Sequence, residues 1–234
     1  MGKARQILGS MAGRLLGKRP VEEKEKIAPE VRLPEDFDLE TIAVFELVRR
    51  FTQTSPERIF AVCEAVRYVV RNRIPGDFVE CGVWKGGSMM AMALTLVRMD
   101  ECSRNLYLFD TYEGMPSPGD EDVDYMGLPA SRIMEKERGE HGWNYAGIDA
   151  VKKNMYSTAY PAEKMHFVKG LVEKTLPAKE LGRIALLRLD TDFYESTRHE
   201  LEYLFPLMAD GGVVIIDDYG HFKGAKKAVD EYLA

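Results

Sequence analysis

Cysteine is scarce in this sequence, and long apolar runs are absent. The 234 residues include three cysteines, Cys63, Cys81 and Cys102, at spacings that match neither a zinc site nor a redox motif. Their odd number and apolar neighbours predict reduced, buried thiols in a cytoplasmic protein. No apolar run approaches the ~20 residues that a spanning helix needs. We therefore expect a protein without structural disulfides and without stable insertion into a membrane.

An excess of positive charge is also missing. The formal net charge is −6, whereas a protein whose main partner is nucleic acid needs a basic face. This balance argues against a nucleic-acid partner. Apolar residues make up 45% of the chain and charged residues 30%, which is ordinary for a soluble globular protein. The length suits one large domain, or one domain with an appendage.

The first 50 residues are predicted to form a helical extension and a linker. Residues 1–20 carry five basic side chains and no acid, and their apolar residues recur at helical spacing. This basic amphipathic segment could lie on a membrane surface, dock as a helix or dimerise, or fray as a terminus. A charged linker with two prolines follows, and a helix is predicted over 39–51. We expect the main domain to occupy 51–234.

Strands and helices alternate through that domain. Ser55 and Pro56 mark the start of a helix that should end before Pro75. Acid-tipped strands are predicted near 77–80, 106–110, 185–192 and 211–219, with a further strand at 165–169 and helices at 89–98, 149–160 and 223–233. This order indicates an α/β fold with a mainly parallel sheet and flanking helices. A stretch near 115–146 has few helix or strand signals, and we interpret it as a lid.

Two of the acid-tipped strands end in pairs of carboxylates. Asp190 and Asp192 end one strand, and Asp217 and Asp218 end the other. The carboxyl ends of parallel strands share one edge of the sheet, where ligands bind. Four carboxylates in one crevice repel one another unless a cation is present, and a hard divalent ion prefers oxygen ligands. The alternative is that one or two of these acids merely cap helices.

A glycine-rich turn follows the first predicted strand. Its pattern, Glu80-x-Gly82-x-x-x-Gly86-x-Ser88, lacks the G-x-G-x-x-G spacing of dinucleotide sites and the Lys-Ser/Thr ending of a P-loop. The glycines let the backbone approach a ligand. Glu80 would repel a pyrophosphate but attract a cationic amino-acid group, and Asp110 could accept ribose hydroxyls. The combination favours S-adenosylmethionine over a nicotinamide cofactor, and a plain tight turn is the alternative.

Four motifs together resemble one enzyme family, the macrocin O-methyltransferases. The similarity runs from about residue 52 to the end of the chain. The motifs are Phe78-Val-Glu-Cys-Gly-Val-Trp-Lys-Gly-Gly-Ser88, Phe109-Asp-Thr-Tyr-Glu-Gly-Met-Pro116, Leu187-Arg-Leu-Asp-Thr-Asp-Phe-Tyr-Glu-Ser196 and Ile216-Asp-Asp-Tyr-Gly220.

The resemblance implies a class I methyltransferase (Rossmann-like) fold and methyl transfer from S-adenosylmethionine to a sugar hydroxyl with the help of Mg²⁺. The acceptor would be a sugar or glycoside of a natural-product pathway. By this resemblance, the metal ligands would be Asp190, Asp217 and Asp218, and the general base would be Asp192. The cofactor would be bound by Glu80, Ser88 and Asp110. One departure is that family members continue beyond the last helix into an antiparallel strand pair, whereas this sequence stops at Ala234.

Further site candidates carry simpler alternatives. Gly82 and Gly86 would let the cofactor approach the backbone, and Thr111 follows the ribose-binding acid. Thr54 and Ser55 could contact the cofactor, although helix capping already explains Ser55. Trp143 could cover the adenine or pack on its own loop, and His141 lies beside it. His221 could be a base or an outer-shell partner, or simply a histidine at a helix start. For Arg188, inside a predicted buried strand, we expect a structural ion pair.

Functions of other classes remain open at this stage. Asp190-Thr-Asp192 also matches the D-x-D motif of metal-dependent glycosyltransferases, which would leave the Glu80 turn unexplained. A nicotinamide-dependent oxidoreductase is disfavoured by the missing glycine fingerprint. A catalytically silent cofactor-binding module would have no reason to keep four carboxylates and a lid. We further expect a homo-oligomer.

Overall fold

The computed structural model describes residues 33–137 and 142–234. Within them a five-stranded sheet of order β3-β2-β1-β4-β5 is parallel throughout. The strands are β1 (Asp77–Cys81), β2 (Leu106–Asp110), β3 (Met165–Lys169), β4 (Ile184–Leu189) and β5 (Met208–Ile216). The α/β class and the parallel sheet predicted from the alternation are confirmed.

Eight α-helices surround this sheet within the described ranges. They are α1 (Leu39–Val48), α2 (Pro56–Arg71), α3 (Gly87–Arg98), α4 (Ala130–Glu137), α5 (Ile148–Tyr156), α6 (Val172–Thr175), α7 (Tyr194–Leu204) and α8 (Lys223–Leu233). The basic segment 1–20, most of the linker and His141 lie outside the described residues, so the predictions made for them stay predictions.

The helices form two layers because side chains alternate along each strand. Phe78 of β1 packs in an apolar cluster with α1, α2, α3 and α5. Its neighbour Val79 packs in a second cluster with α6, α7 and α8. Strands covered on both faces explain the near-continuous apolar sequence of β4, whose six residues are all buried. No helix in the described part of the chain is long and apolar enough to cross a membrane.

Helix starts follow their capping residues. The Ser55 hydroxyl accepts a hydrogen bond from the Arg58 amide at 3.4 Å and begins α2. Asp38 begins α1 in the same way, since its carboxylate accepts the Thr41 amide at 2.9 Å. Gly86 is the N-cap of α3, and its φ of +92° places it in the left-handed region that favours glycine.

The described part of the segment predicted to lack regular structure contains one helix, α4. The sequence of α4 carries only a short amphipathic pattern with turns on either side, so the sequence alone gives little sign of a helix. Before it, Val123 and Pro129 form an isolated antiparallel bridge, and Asp124 bridges Phe222 at the start of α8. The described part of the lid segment is therefore attached to the carboxyl edge of the sheet.

Candidate active site

A cavity of about 340 Å³ opens at the carboxyl edge of the sheet. Most of the residues singled out from the sequence line it: Thr54, Gly82, Ser88, Asp110, Thr111, Trp143, Asp190, Asp192, Asp217, Asp218 and His221. Three do not: Ser55, Glu80 and Gly86. The fold thus brings the glycine turn, the lid segment and both acid pairs to one cavity.

The glycine turn after β1 is shaped by two close contacts. A Cβ on Gly82 would lie 1.9 Å from the carbonyl oxygen of Asp190, so only glycine fits between β1 and β4. The Asp110 carboxylate accepts the backbone amides of Val83 at 2.7 Å and Trp84 at 2.9 Å. Trp84 has a φ of +47°, an uncommon conformation for a bulky residue. Asp110 therefore orders the turn as well as lining the cavity.

A wall of the cavity comes from the segment just before α2. The Gly87 amide donates to the carbonyl of Phe51 at 3.0 Å, and a Cβ on Gly87 would lie 2.6 Å from that carbonyl. Thr54 faces the cavity, and its hydroxyl accepts a hydrogen bond from Arg188 at 3.3 Å. Ser55 caps α2 instead, which is the simpler of its two sequence interpretations.

Arg188 lines the cavity and connects three carboxylates there. The guanidinium is 1% exposed. It donates hydrogen bonds to Glu80 at 2.7 Å and Asp190 at 2.6 Å, and it forms an ion pair with Asp217 at 2.8 Å. The predicted ion pair is confirmed, and it is part of a network of one arginine and three carboxylates. Burial raises the pKa of Glu80 to about 7, although Arg188 acts in the opposite direction. Glu80 Oε2 has no hydrogen-bond partner in the structure.

Three of the four strand-end acids cluster closely. One carboxylate oxygen from each of Asp190, Asp192 and Asp218 lies within 4.8 Å of the other two. Asp217 adjoins the cluster but forms ion pairs with Arg188 and, at 2.7 Å, with Arg58. Burial, followed by the charges of neighbouring carboxylates, raises the pKa of Asp192 well above its ordinary value. This crowding is the situation that a bound cation relieves.

The donor set suits a hard divalent cation. All three carboxylates offer oxygen ligands, which Mg²⁺ and Ca²⁺ prefer. Asp218 Oδ2 is buried and has no hydrogen-bond partner among the residues that the structure describes, so a ligand oxygen is available. The geometric group differs from the trio implied by the family resemblance, because it contains Asp192 where the resemblance has Asp217.

The lid segment contributes Trp143 and contacts His221. Trp143 lines the cavity and packs on a small apolar cluster with Phe193 and Phe222, and its contact with the adenine stays a prediction. The His221 ring lies against Tyr125 with a centroid separation of 5.7 Å. His221 therefore faces the cavity from a contact between the lid segment and the loop after β5.

Sequence reasoning missed several cavity residues. Arg58 projects from the first turn of α2, where nothing in the sequence distinguished it from a solvent-exposed charge. Gln53 donates to Asn144 at 2.9 Å, which joins the wall to the lid segment. Glu173 and Ser196 line the cavity and are joined by a hydrogen bond of 2.9 Å. These residues come together only through the tertiary fold.

The fold and site together define a class I methyltransferase. A parallel sheet carries a glycine turn after β1, an acid at the end of β2 and an open, acid-lined cavity beside both. Residues 48–234 match the Macrocin-O-methyltransferase (TylF) family. The chain belongs to this family and is an S-adenosylmethionine-dependent O-methyltransferase. The glycosyltransferase, oxidoreductase and silent-module alternatives are thereby wrong.

Individual relatives agree with this placement. The chain is 33% identical to the demethyldecarbamoylnovobiocin O-methyltransferase of Streptomyces niveus, over 78% of this chain and 68% of that protein. It is equally similar, at 33%, to an 8-demethyl-8-(2,3-dimethoxy-alpha-L-rhamnosyl)-tetracenomycin-C 4'-O-methyltransferase of Streptomyces olivaceus, over 77% and 67%. The solved O-methyltransferase NovP superposes with a TM-score of 0.67 at 31% identity, covering 78% of this chain and 73% of that one.

Proposed function

We propose that this enzyme transfers the methyl group of S-adenosylmethionine to a hydroxyl of a sugar carried by a natural product or related small molecule, with a divalent cation, Mg²⁺, at the acid cluster. The proposal deepens the family assignment in two respects, the acceptor and the metal. The observation that carries it is the single cavity that joins the glycine turn to the cluster of Asp190, Asp192 and Asp218. The names of the relatives support a glycosylated acceptor.

The methyl donor would lie over the glycine turn. Ser88, Thr54 and the carboxylate of Asp110 line that part of the cavity. Asp110 already accepts two amides on one oxygen, and its other oxygen accepts the Tyr112 amide at 2.6 Å. That second oxygen also lies 3.4 Å from the Thr111 hydroxyl, whose single proton makes a shorter bond of 2.6 Å to the Gly114 carbonyl. Each carboxylate oxygen can accept two hydrogen bonds, so a ribose hydroxyl would donate at the position next to Thr111. Glu80 would act from behind Arg188 rather than by lining the cavity.

The acids would serve the acceptor side. Asp190, Asp217 and Asp218 would hold the cation, and Asp192 would accept the proton of the reacting hydroxyl. A bound divalent cation supplies positive charge that favours deprotonation of the hydroxyl, and S-adenosylmethionine supplies an electrophilic methyl group. The burial that raises the pKa of Asp192 makes it a stronger base when ionised. Asp192 in place of Asp217 as third ligand is the alternative, which variant titrations distinguish.

Two further expectations accompany this proposal. We expect a cytoplasmic enzyme and a homo-oligomer. Sedimentation of the full chain tests the second of these, and localisation of the tagged protein tests the first.

The experiment uses labelled S-adenosylmethionine and a panel of acceptors. The panel contains 6-deoxyhexoses with a vicinal diol as methyl glycosides, as aryl glycosides and as nucleotide-linked sugars, together with an isolated alcohol. We expect methylation of a vicinal-diol sugar, abolished by chelator and restored by Mg²⁺, because a diol can replace two waters on the ion. Transfer only to non-sugar hydroxyls would refute the acceptor assignment, and full turnover in chelator would refute the metal.

A further inference from the structure

The turn that carries the two acids between β4 and α7 has an unfavourable backbone. Asp192 has a φ of +67°, a left-handed conformation that costs free energy for any residue with a Cβ. Such a conformation persists only where surrounding contacts fix it. The Asp190 amide donates to the Cys81 carbonyl at 2.9 Å, and the Phe193 amide donates to the Thr191 carbonyl at 2.8 Å. These backbone bonds secure the two ends of the turn.

The side chain at the centre of the turn is tied to a buried acid. The Thr191 hydroxyl donates to Glu200 Oε2 at 3.1 Å across nine residues of sequence. Glu200 lies on α7 and is 0% exposed, beside the buried side chains of Leu201 and Leu204. Its other oxygen, Oε1, has no hydrogen-bond partner within residues 33–137 and 142–234. Glu200 does not line the cavity, so it cannot touch the substrate directly.

A buried glutamate at position 200 lowers the stability of the fold. A buried polar group without a full set of partners costs stability, and an apolar side chain of the same size would not incur that cost. Burial raises the pKa of Glu200 well above its ordinary value, because the charged carboxylate loses its hydration. The residue therefore contributes something other than stability.

We propose that Glu200 is a positioning residue that holds the strained turn at 190–192 through the Thr191 hydroxyl, and thereby aims Asp192 at the acceptor. The inference rests on the proposed function, because Asp192 is the general base there. Without the tether, Thr191 turns freely and Asp192 can relax from its left-handed conformation. Displacement of a reacting group by about 1 Å can lower turnover by up to 100-fold.

A set of variants distinguishes two roles of Glu200, holding the turn at 190–192 and filling space in the core. Glu200→Met removes the acceptor and fills the same space with an unbranched apolar chain, whereas Glu200→Gln keeps an acceptor oxygen. Thr191→Val removes the donor, and combining it with Glu200→Met leaves neither member of the Thr191–Glu200 pair without its partner. Thr95→Val is the matched control, since Thr95 is 2% exposed and its hydroxyl donates to the Ala91 carbonyl within α3 at 2.8 Å.

Glu200→Met should move stability and activity in opposite directions. We expect its melting temperature to rise by about 2–4 °C and its kcat to fall roughly 10- to 100-fold, with the Kd for S-adenosylhomocysteine unchanged. The double variant should repeat this result, and Glu200→Gln should retain most of the wild-type kcat. Thr95→Val should leave kcat unchanged.

A local reporter makes the tether measurable without turnover. Exchange of the Phe193 amide, followed by NMR, should quicken in Glu200→Met and Thr191→Val but not in Glu200→Gln. Unchanged exchange in Glu200→Met would overturn the tether, and quickened exchange with normal kcat would overturn its role in aiming Asp192. If the wild type methylates no sugar, the proposed function fails, while the exchange data still decide whether Glu200 holds the turn.

Discussion

Arg188 and Glu80 form an ion pair of 2.7 Å in which both side chains are 1% exposed. The same guanidinium forms ion pairs with Asp190 and Asp217, so one cation joins β1, β4 and the loop after β5 in the wall of the cavity. A buried carboxylate left without its arginine is strongly unfavourable. The acid-rich edge of this sheet therefore depends on Arg188 for its stability before any ligand binds.

Replacing Arg188 with Met should lower the free energy of unfolding by about 3–5 kcal/mol, the usual cost of breaking a buried ion pair. It should also weaken binding of S-adenosylhomocysteine, because the wall of the cavity rearranges. Arg67→Met is the matched control. Arg67 is 7% exposed and pairs with Asp38 and Glu64 far from the cavity, so it should lose stability but keep its affinity. Denaturant unfolding and calorimetry make both comparisons, and equal affinities would contradict the prediction.

Asp110 should matter to the cofactor through the turn it orders. Asp110→Ala leaves the amides of Val83, Trp84 and Tyr112 without their acceptor. We expect affinity for S-adenosylhomocysteine to fall by roughly 1–3 kcal/mol, the scale for losing hydrogen bonds to a charged group. Asp110→Asn keeps one acceptor oxygen and should lose less. Calorimetric titration decides this, and a full-affinity Asp110→Ala variant would remove the residue from the site.

Metal titration can decide whether Asp217 or Asp192 is the third metal ligand. Asp217→Asn should weaken Mn²⁺ binding, used here as a spectroscopic substitute for Mg²⁺. Asp192→Asn should largely retain Mn²⁺ while kcat falls by roughly 10²–10⁴-fold, the range for losing a general base. Loss of Mn²⁺ binding in Asp192→Asn alone would instead make Asp192 the third ligand, in agreement with its place in the compact group of acids.

The sequence was sufficient for the sheet and for eleven of the residues that line the cavity, because both depend on local pattern. Acids at strand ends converge wherever parallel strands share an edge, so Asp110, Asp190 and Asp218 were found without a structure. Glu80 lies outside the cavity lining, and no sequence pattern reveals that Arg188, with which it pairs, lines the cavity instead. Glu200 gave no signal at all, because a lone acid on an amphipathic helix normally faces solvent.

Asp38 should stabilise α1 in a pH-dependent way. Burial raises its pKa, but hydrogen bonds from the Thr41 hydroxyl and amide and from Arg67 outweigh burial, so the pKa lies well below its ordinary value of 3.8. A lowered pKa in an acid means that the stabilisation is present above the unfolded-state pKa and is lost as pH falls toward the folded-state pKa.

Asp38→Ala should therefore be less stable than the wild type by about 1 kcal/mol at pH 7, and the difference should shrink as the pH is lowered from about 4 toward 2. Urea unfolding at several pH values measures this difference. The exposed neighbour Asp36 provides the control, since Asp36→Ala should show no such trend. A difference that grew on acidification would contradict the assignment.

Asp122 should connect the lid segment to catalysis. Its buried carboxylate accepts the Tyr194 amide and the Gly119 amide, both at 2.7 Å, and Tyr194 begins α7 two residues after Asp192. Asp122→Ala should free the segment near 119–130, so that its amides exchange faster, and should lower kcat by about tenfold, because closure over the acceptor excludes water.

Gly224 offers an independent way to disturb the same contact. A Cβ there would lie 2.2 Å from Asp122 Oδ1 and 3.1 Å from the Tyr194 amide nitrogen, so Gly224→Ala must displace the carboxylate. It should reproduce the faster exchange and the lower kcat of Asp122→Ala. Glu121→Ala is the control, because Glu121 makes only an exposed ion pair with Lys227, which is worth little. If Gly224→Ala and Glu121→Ala behaved alike, with normal exchange and kcat, the Asp122 contact would be a surface detail rather than the anchor of the lid.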